Sequence, residues 1–191
     1  IEDSKSYFGM GNSDKIFLGR LLPEAISQQE VGIYGACCKL AIFLSIFIQA
    51  FRLGSEPFFF SHAKNANAKE TYARIMHYFV LAVCLITLSL VANIELLKYF
   101  IKGNADQQAL YWSGLKIVPV LLFAYVFLGV YMNLSIWYKL SDQTRYGLYI
   151  SGVGAVLTIG LNIWLIPQYS YVASAWITLL AYLIMSALSY I

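Results

Sequence analysis

Lys39 stands inside one of the most apolar stretches of this chain. The segment from Val31 to Phe60 reads VGIYGACCKLAIFLSIFIQAFRLGSEPFFF and is almost wholly apolar as far as Phe51. As a helix it places Lys39 about eight residues, or ~12 Å, from its start. Gln49, Arg52 and Glu56 follow at spacings of three and four, on one helix face with Ile42 and Ser45. A charge within a membrane helix costs about 2.5–3.5 kcal/mol, so such a segment faces protein or a wet cavity, not lipid. Two readings of Lys39 stand. Its ammonium snorkels to the interface, or it is a cation lining a polar cavity, where Gly32 and Gly35 leave room. Arg52 and Glu56, four apart, are either an ion pair pinning one helix end or a gate that opens as helices rock. Asp14 and Arg20 are further candidates for the cavity wall, with Asp14 grouped with Arg52 and Glu56 as gating charges. Asn133 lies within a third apolar run. Asn162 shares one helix face with Gly147, Ser151, Gly154 and Thr158, and a second face carries Tyr171, Ser174, Thr178 and Tyr182. Small and hydroxyl residues on one face suit close helix packing in lipid, or the lining of a water-filled path.

No catalytic constellation accompanies these residues. The sequence has no GxSxG, P-loop or HExxH pattern. His62 and His77 lack acidic or cysteine partners at metal-ligand spacing, so no metal site is expected. Cys37, Cys38 and Cys84 are odd in number, fall in apolar runs and form no CxxC, which reads as buried small hydrophobes. The expectation is a protein that is not an enzyme and needs no cofactor.

The elements that hold these residues are membrane spans. Of the 191 residues, 60% are hydrophobic and 12% charged, about half the charged share of a soluble domain. Mean hydropathy is +0.66. The apolar runs do not alternate in the manner of barrel strands, so the fold class is all-α integral membrane. A net charge of +3 gives no reason to expect nucleic acid. Spans are predicted at about 31–56, 75–101, 117–138, 146–166 and 171–191. Residues 12–22, NSDKIFLGRLL, read as the end of a sixth helix stopped by Pro23. Residues 1–11 are polar and patternless, with no initiator Met, so the chain reads as a piece of a longer protein. Residues 23–30 and 102–113 read as polar connections, Pro57 as a weakening of its helix, and 61–74 as a basic loop containing a short helix. Loops 61–74 and 139–145 carry Lys64, Lys69, Arg74, Lys139 and Arg145, five basic residues against about three on the opposite side. The positive-inside rule puts those loops in the cytoplasm.

Several of these strings together resemble a known family. VGIYGACCKLAIFLSIFIQAFRLGSEPFFF, NSDKIFLGRLLP before it, and GVYMNLSIWYKLSDQTRYG and LNIWLIP after it are similar to the bacterial polysaccharide flippases of the O-antigen type. These belong to the multidrug/oligosaccharidyl-lipid/polysaccharide exporter superfamily. The resemblance runs from about Asn12 to Ile191 and is to the C-terminal half. It implies one lobe, of five full helices and one partial, in a two-lobe alternating-access transporter whose partner is the missing N-terminal lobe. It implies a multi-pass protein of the bacterial inner membrane, set among membrane lipids, that flips a lipid-linked oligosaccharide. On that reading Lys39 and then Arg52 hold the prenyl diphosphate, while Gln49, Asn133 and Asn162 line the substrate path. Rival readings are a cation-coupled multidrug exporter of the same superfamily, which favours acidic residues deep in the lobe, a membrane enzyme acting on sugar lipids, and a structural subunit.

Overall fold

The computed structural model describes residues 14–63, 67–101, 104–141 and 143–190, with the side chains of 24, 25 and 105 excepted. The predicted irregular segment 1–11, together with Lys64, Lys102 and Asp142, lies outside the described residues. Among the described residues there is no strand. Four helical segments are long and apolar enough to cross a bilayer: Ile26–His62, Ala68–Ala92, Asp106–Leu140 and Thr144–Tyr190.

The first helix, α1, covers residues 14–21 and is followed at once by Pro23. The long helix α2, Glu24–His62, begins immediately after that proline. The stretch 23–30 therefore forms the opening turns of α2 and not a polar connection. A proline just ahead of a helix costs no intrahelical bond, and the backbone N–H groups of Ile26 and Ser27 both reach the Pro23 carbonyl, at 2.9 and 3.0 Å. Pro57 is absorbed near the far end of α2, where only one more turn follows it. Helix α3, Ala68–Ala92, likewise starts before the apolar run does, and ends where Asn93 turns its side chain back onto the Ser89 carbonyl, 2.9 Å away. A single turn, α4 (Ile94–Leu97), and a tight turn lead to α5, Ala105–Ser113. Residues 102–113 were legible as polar, yet Asn104 and Gln107 form a capping box that makes most of them helical. Helix α6, Val118–Leu140, carries Pro119 in its first turn.

The segment Thr144–Tyr190 is ~70 Å long at ~1.5 Å per residue, more than twice a bilayer core of ~30 Å. It turns back at Ser170, whose φ of 53° and ψ of −138° interrupt the helix. Two antiparallel helices result, α7 (144–169) and α8 (171–190). Their pairing is close: a Cβ on Gly154 of α7 would fall 2.4 Å from Met185 Sδ of α8. The small-residue face noticed in the sequence is thus a packing surface.

The core lies where α2, α6 and the α7–α8 pair meet. Tyr34, Leu40 and Leu44 of α2 and Leu121, Leu122 and Tyr131 of α6 are fully shielded. Helix α3 is peripheral, with Leu81, Leu85 and Leu88 facing outward. Cys37 is buried, Cys38 half-buried and Cys84 exposed on that outer helix.

Candidate functional site

Asp14 is the most deeply placed charge among the described residues, at 1% exposure. It lies on α1, and three other helices converge on its carboxylate. Tyr34 of α2 donates its hydroxyl to Oδ2 at 2.8 Å. Thr178 of α8 donates to the same oxygen at 2.9 Å. Asn162 of α7 donates from Nδ2 to Oδ1 at 3.2 Å. Ser174 of α8 completes the set by donating to Asn162 Oδ1 at 3.1 Å, which fixes the amide so that its NH₂ faces the acid. Asn162 and Ser174 are fully buried. Tyr34 stands ten residues into α2 and Thr178 eight beyond the Ser170 turn, so the cluster sits ~12–15 Å from that end of the bundle, near mid-membrane. A narrow cavity lined by Asp14, Thr158, Thr178, Ala181 and Tyr182 adjoins it.

A buried carboxylate is costly unless hydrogen bonded, and here three neutral donors supply those bonds. No ion pair among the described residues includes Asp14. The Thr178 hydroxyl has one hydrogen and two acceptors within reach: Asp14 Oδ2 and, also at 2.9 Å, the Ser174 carbonyl of its own helix. It can therefore donate to an ionised Asp14, or turn to its own helix and accept from a protonated one.

The other sequence candidates are spread apart. Lys39 is exposed on α2, on a strip shared with Phe43, Ile46, Ala50 and Leu53, and borders none of the described cavities. Lys15 of α1, which was not among the candidates, packs against α2 at Gly35: its Cε lies 3.8 Å from where a Cβ on Gly35 would be. Gly35 is one turn from Lys39 on the same face of α2. Lys15, half-buried, and Lys39, exposed, thus approach the same part of α2. Gln49 is half-buried. Arg52 Nε lies 3.8 Å from Glu56, and Glu56 also receives Lys139 of α6 at 2.9 Å. These charges tie α2 to α6 at the end where α2 passes to α3 and α6 to α7; the predicted loop 61–74 is there mostly helical, the end of α2 and the start of α3. Asn133 returns its amide to the Gly129 carbonyl of its own helix at 3.2 Å and borders a cleft between α3 and α6. Asn162, expected on a substrate path, is sealed in the Asp14 cluster because its amide completes the carboxylate's hydrogen bonds. What sequence reasoning missed was Tyr34, Ser174 and Thr178 as partners of Asp14. Ser174 and Thr178 were visible as one polar face, and their meeting with Asp14 depends on how α7 and α8 fold over α1.

A sequence profile of the MatE family matches residues 6–164, most of the chain. The chain belongs to the MatE family. The chain is therefore a multi-pass membrane protein of the multidrug/oligosaccharidyl-lipid/polysaccharide exporter superfamily, whose members are transporters and not enzymes. No curated protein and no solved structure matches it. Four helices of this MatE chain, α1, α2, α7 and α8, thus meet at one carboxylate.

Proposed function

We propose that this lobe exports an anionic, lipid-linked cargo, a prenyl-diphosphate oligosaccharide, and that Asp14 couples export to cation movement. The observation that supports the cargo is Lys39, exposed on α2, with half-buried Lys15 of α1 packed against Gly35 one turn before it. Two cations at membrane depth cost several kcal/mol unless an anion or water answers them. A diphosphate in a low-dielectric cavity needs fixed positive charge close by, and Lys39, with Lys15 packed against the turn before it, is the candidate source. Arg52, held by Glu56, stands further along α2 toward the end that the basic bias assigns to the cytoplasm. The sequence resemblance to polysaccharide flippases supports the same cargo, and with it a bacterial inner membrane and a second lobe facing this one.

The coupling ion that suits the Asp14 cluster is a proton. All three groups aimed at the carboxylate are donors, and the adjoining cavity is too narrow for a water molecule. A proton would bind Asp14 and release the Thr178 hydroxyl to its own helix. The Asp14–Thr178 bond then reverses direction and no polar group is left unpaired, so the cluster accommodates both protonation states of a lobe that must rock between two states. A second reading, a cation-coupled multidrug exporter, is favoured by this same deep acid.

The test uses the intact protein in its membrane. Lys15→Gln with Lys39→Gln should abolish surface polysaccharide while leaving expression unchanged. Asp14→Asn, which keeps the size of the side chain and cannot ionise, should bind cargo and fail to export it. Normal polymer in the double lysine variant removes the diphosphate reading. Raised drug susceptibility in that variant with polymer intact selects the multidrug exporter.

A further inference from the structure

The cleft that Asn133 borders lies between α3 and α6, at the end of the bundle where α2 passes to α3 and α6 to α7. It has a volume of about 490 Å³, within the range of ~300–1,000 Å³ typical of small-molecule sites. Phe59, Tyr72, Met76, Val80 and Trp137 form its walls, and His77 and Asn133 are its polar members besides the Tyr72 and Tyr190 hydroxyls. Tyr72, Trp137 and Leu140 also wall a second cavity of about 230 Å³, rimmed by Lys69 and Ser141. An apolar slot therefore continues into a polar mouth.

The charge at that mouth is specific. Arg74 is taken up by Glu70 at 3.5 Å and Lys139 by Glu56 at 2.9 Å. Lys69 is in no ion pair among the described residues, and its Nζ stands 5.8 Å over the Trp137 ring. Trp and Tyr side chains concentrate at headgroup depth, and Trp137, Tyr72 and Tyr190 all meet here. Such an arrangement is complementary to a molecule with one anionic head and one apolar chain. We propose that the α3–α6 cleft holds a single anionic phospholipid, its acyl chain between Met76 and Trp137 and its phosphate at Lys69. The site is separate from the Asp14 cluster and from Lys15 and Lys39, so it does not depend on the cargo. It would wedge peripheral α3 against α6 at the level where Phe59 receives the Tyr72 hydroxyl on its carbonyl, at 2.6 Å.

The experiment is lipid titration of the delipidated intact protein in detergent, read by native mass spectrometry. Phosphatidylglycerol, phosphatidylcholine and a prenyl monophosphate are the three probes. The unmodified protein should retain one phosphatidylglycerol about fivefold more tightly than phosphatidylcholine, as one basic residue near a membrane surface supplies. Lys69→Gln, at an exposed position, should remove that preference. Ala73→Trp, filling the slot, should remove retention of both phospholipids. Arg145→Gln, at the same end but not on the cleft, should change nothing. Equal retention of the two phospholipids overturns the proposal, as does preference unaffected by Lys69→Gln, or an Arg145→Gln effect as large. Retention of the prenyl phosphate alone also overturns it, because the cleft then serves the cargo.

Discussion

Tyr34→Phe is the sharpest probe of the Asp14 cluster, because it removes one hydroxyl and leaves the ring in place. Tyr34 is 1% exposed, and its hydroxyl lies 2.8 Å from Asp14 Oδ2. A hydrogen bond to a charged group contributes about 1.5–3 kcal/mol net, against about 0.5–1.5 kcal/mol for one between neutral groups. Tyr34→Phe should therefore cost about 1.5–3 kcal/mol when Asp14 is ionised. On an Asp14→Asn background, where the acceptor is a neutral amide, the same change should cost about 1 kcal/mol. The difference, about 1 kcal/mol of coupling, is what a double-mutant cycle reads. For a chain of this size that corresponds to a Tm difference of about 2–4 °C. The assay is thermal unfolding of the four proteins in one detergent at neutral pH. Additive Tm changes would refute the reasoning, since they would mean that the hydroxyl does not sense whether residue 14 can ionise.

Other perturbations follow from the same geometry. A Cβ on Gly114 would lie 2.3 Å from Ile33 Cγ2 and 3.0 Å from Cys37 Sγ, so Gly114→Ala should destabilise by about 1–3 kcal/mol against a β-branched neighbour with little rotamer freedom. Gly160→Ala, with nothing within 4 Å, should stabilise by about 0.5–1 kcal/mol in the same unfolding assay. Ser170 occupies a conformation that suits glycine and donates to Glu30 at 2.5 Å. Ser170→Gly should trade that bond for relief of about 1–3 kcal/mol of strain and leave Tm near its starting value, while Ser170→Ala, losing the bond and keeping the strain, should lower it. Glu56→Gln removes the carboxylate shared by Arg52 and Lys139, whose side chains are mostly buried, so it should cost more than the ~1 kcal/mol of an exposed pair and lower Tm measurably.

Hydropathy made the membrane class and the apolar runs legible, because every span must be apolar over its own length whatever it packs against. Boundaries were less legible. Glu24 to Glu30 reads as polar connection, yet those residues extend α2 because a helix that protrudes from the bilayer needs no apolar face there. The Asn104–Gln107 spacing was a local signal for α5 that polarity alone concealed. The Asp14 cluster was legible only in parts. Asn162, Ser174 and Thr178 stood out on two helix faces, and Asp14 as a charge in a short helix, but their meeting spans 148 to 164 positions of sequence. Lys39 attracted notice for its apolar neighbours. Sequence spacing could not show that α2 turns it outward, nor that Lys15 of α1 packs against Gly35 of α2.

The uneven shielding of the three thiols has a practical consequence. Cys84 alone points outward from the outermost helix, whereas Cys37 lies within the packed core, its thiol bonded to the Gly114 carbonyl at 3.2 Å. A lipid-soluble maleimide carrying a fluorophore or a nitroxide would meet one open attachment point before it reached the others. The natural chain therefore offers a site-selective handle on α3 without any cysteine being engineered. A reporter placed there would register directly whether that helix moves against the rest of the bundle during a transport cycle.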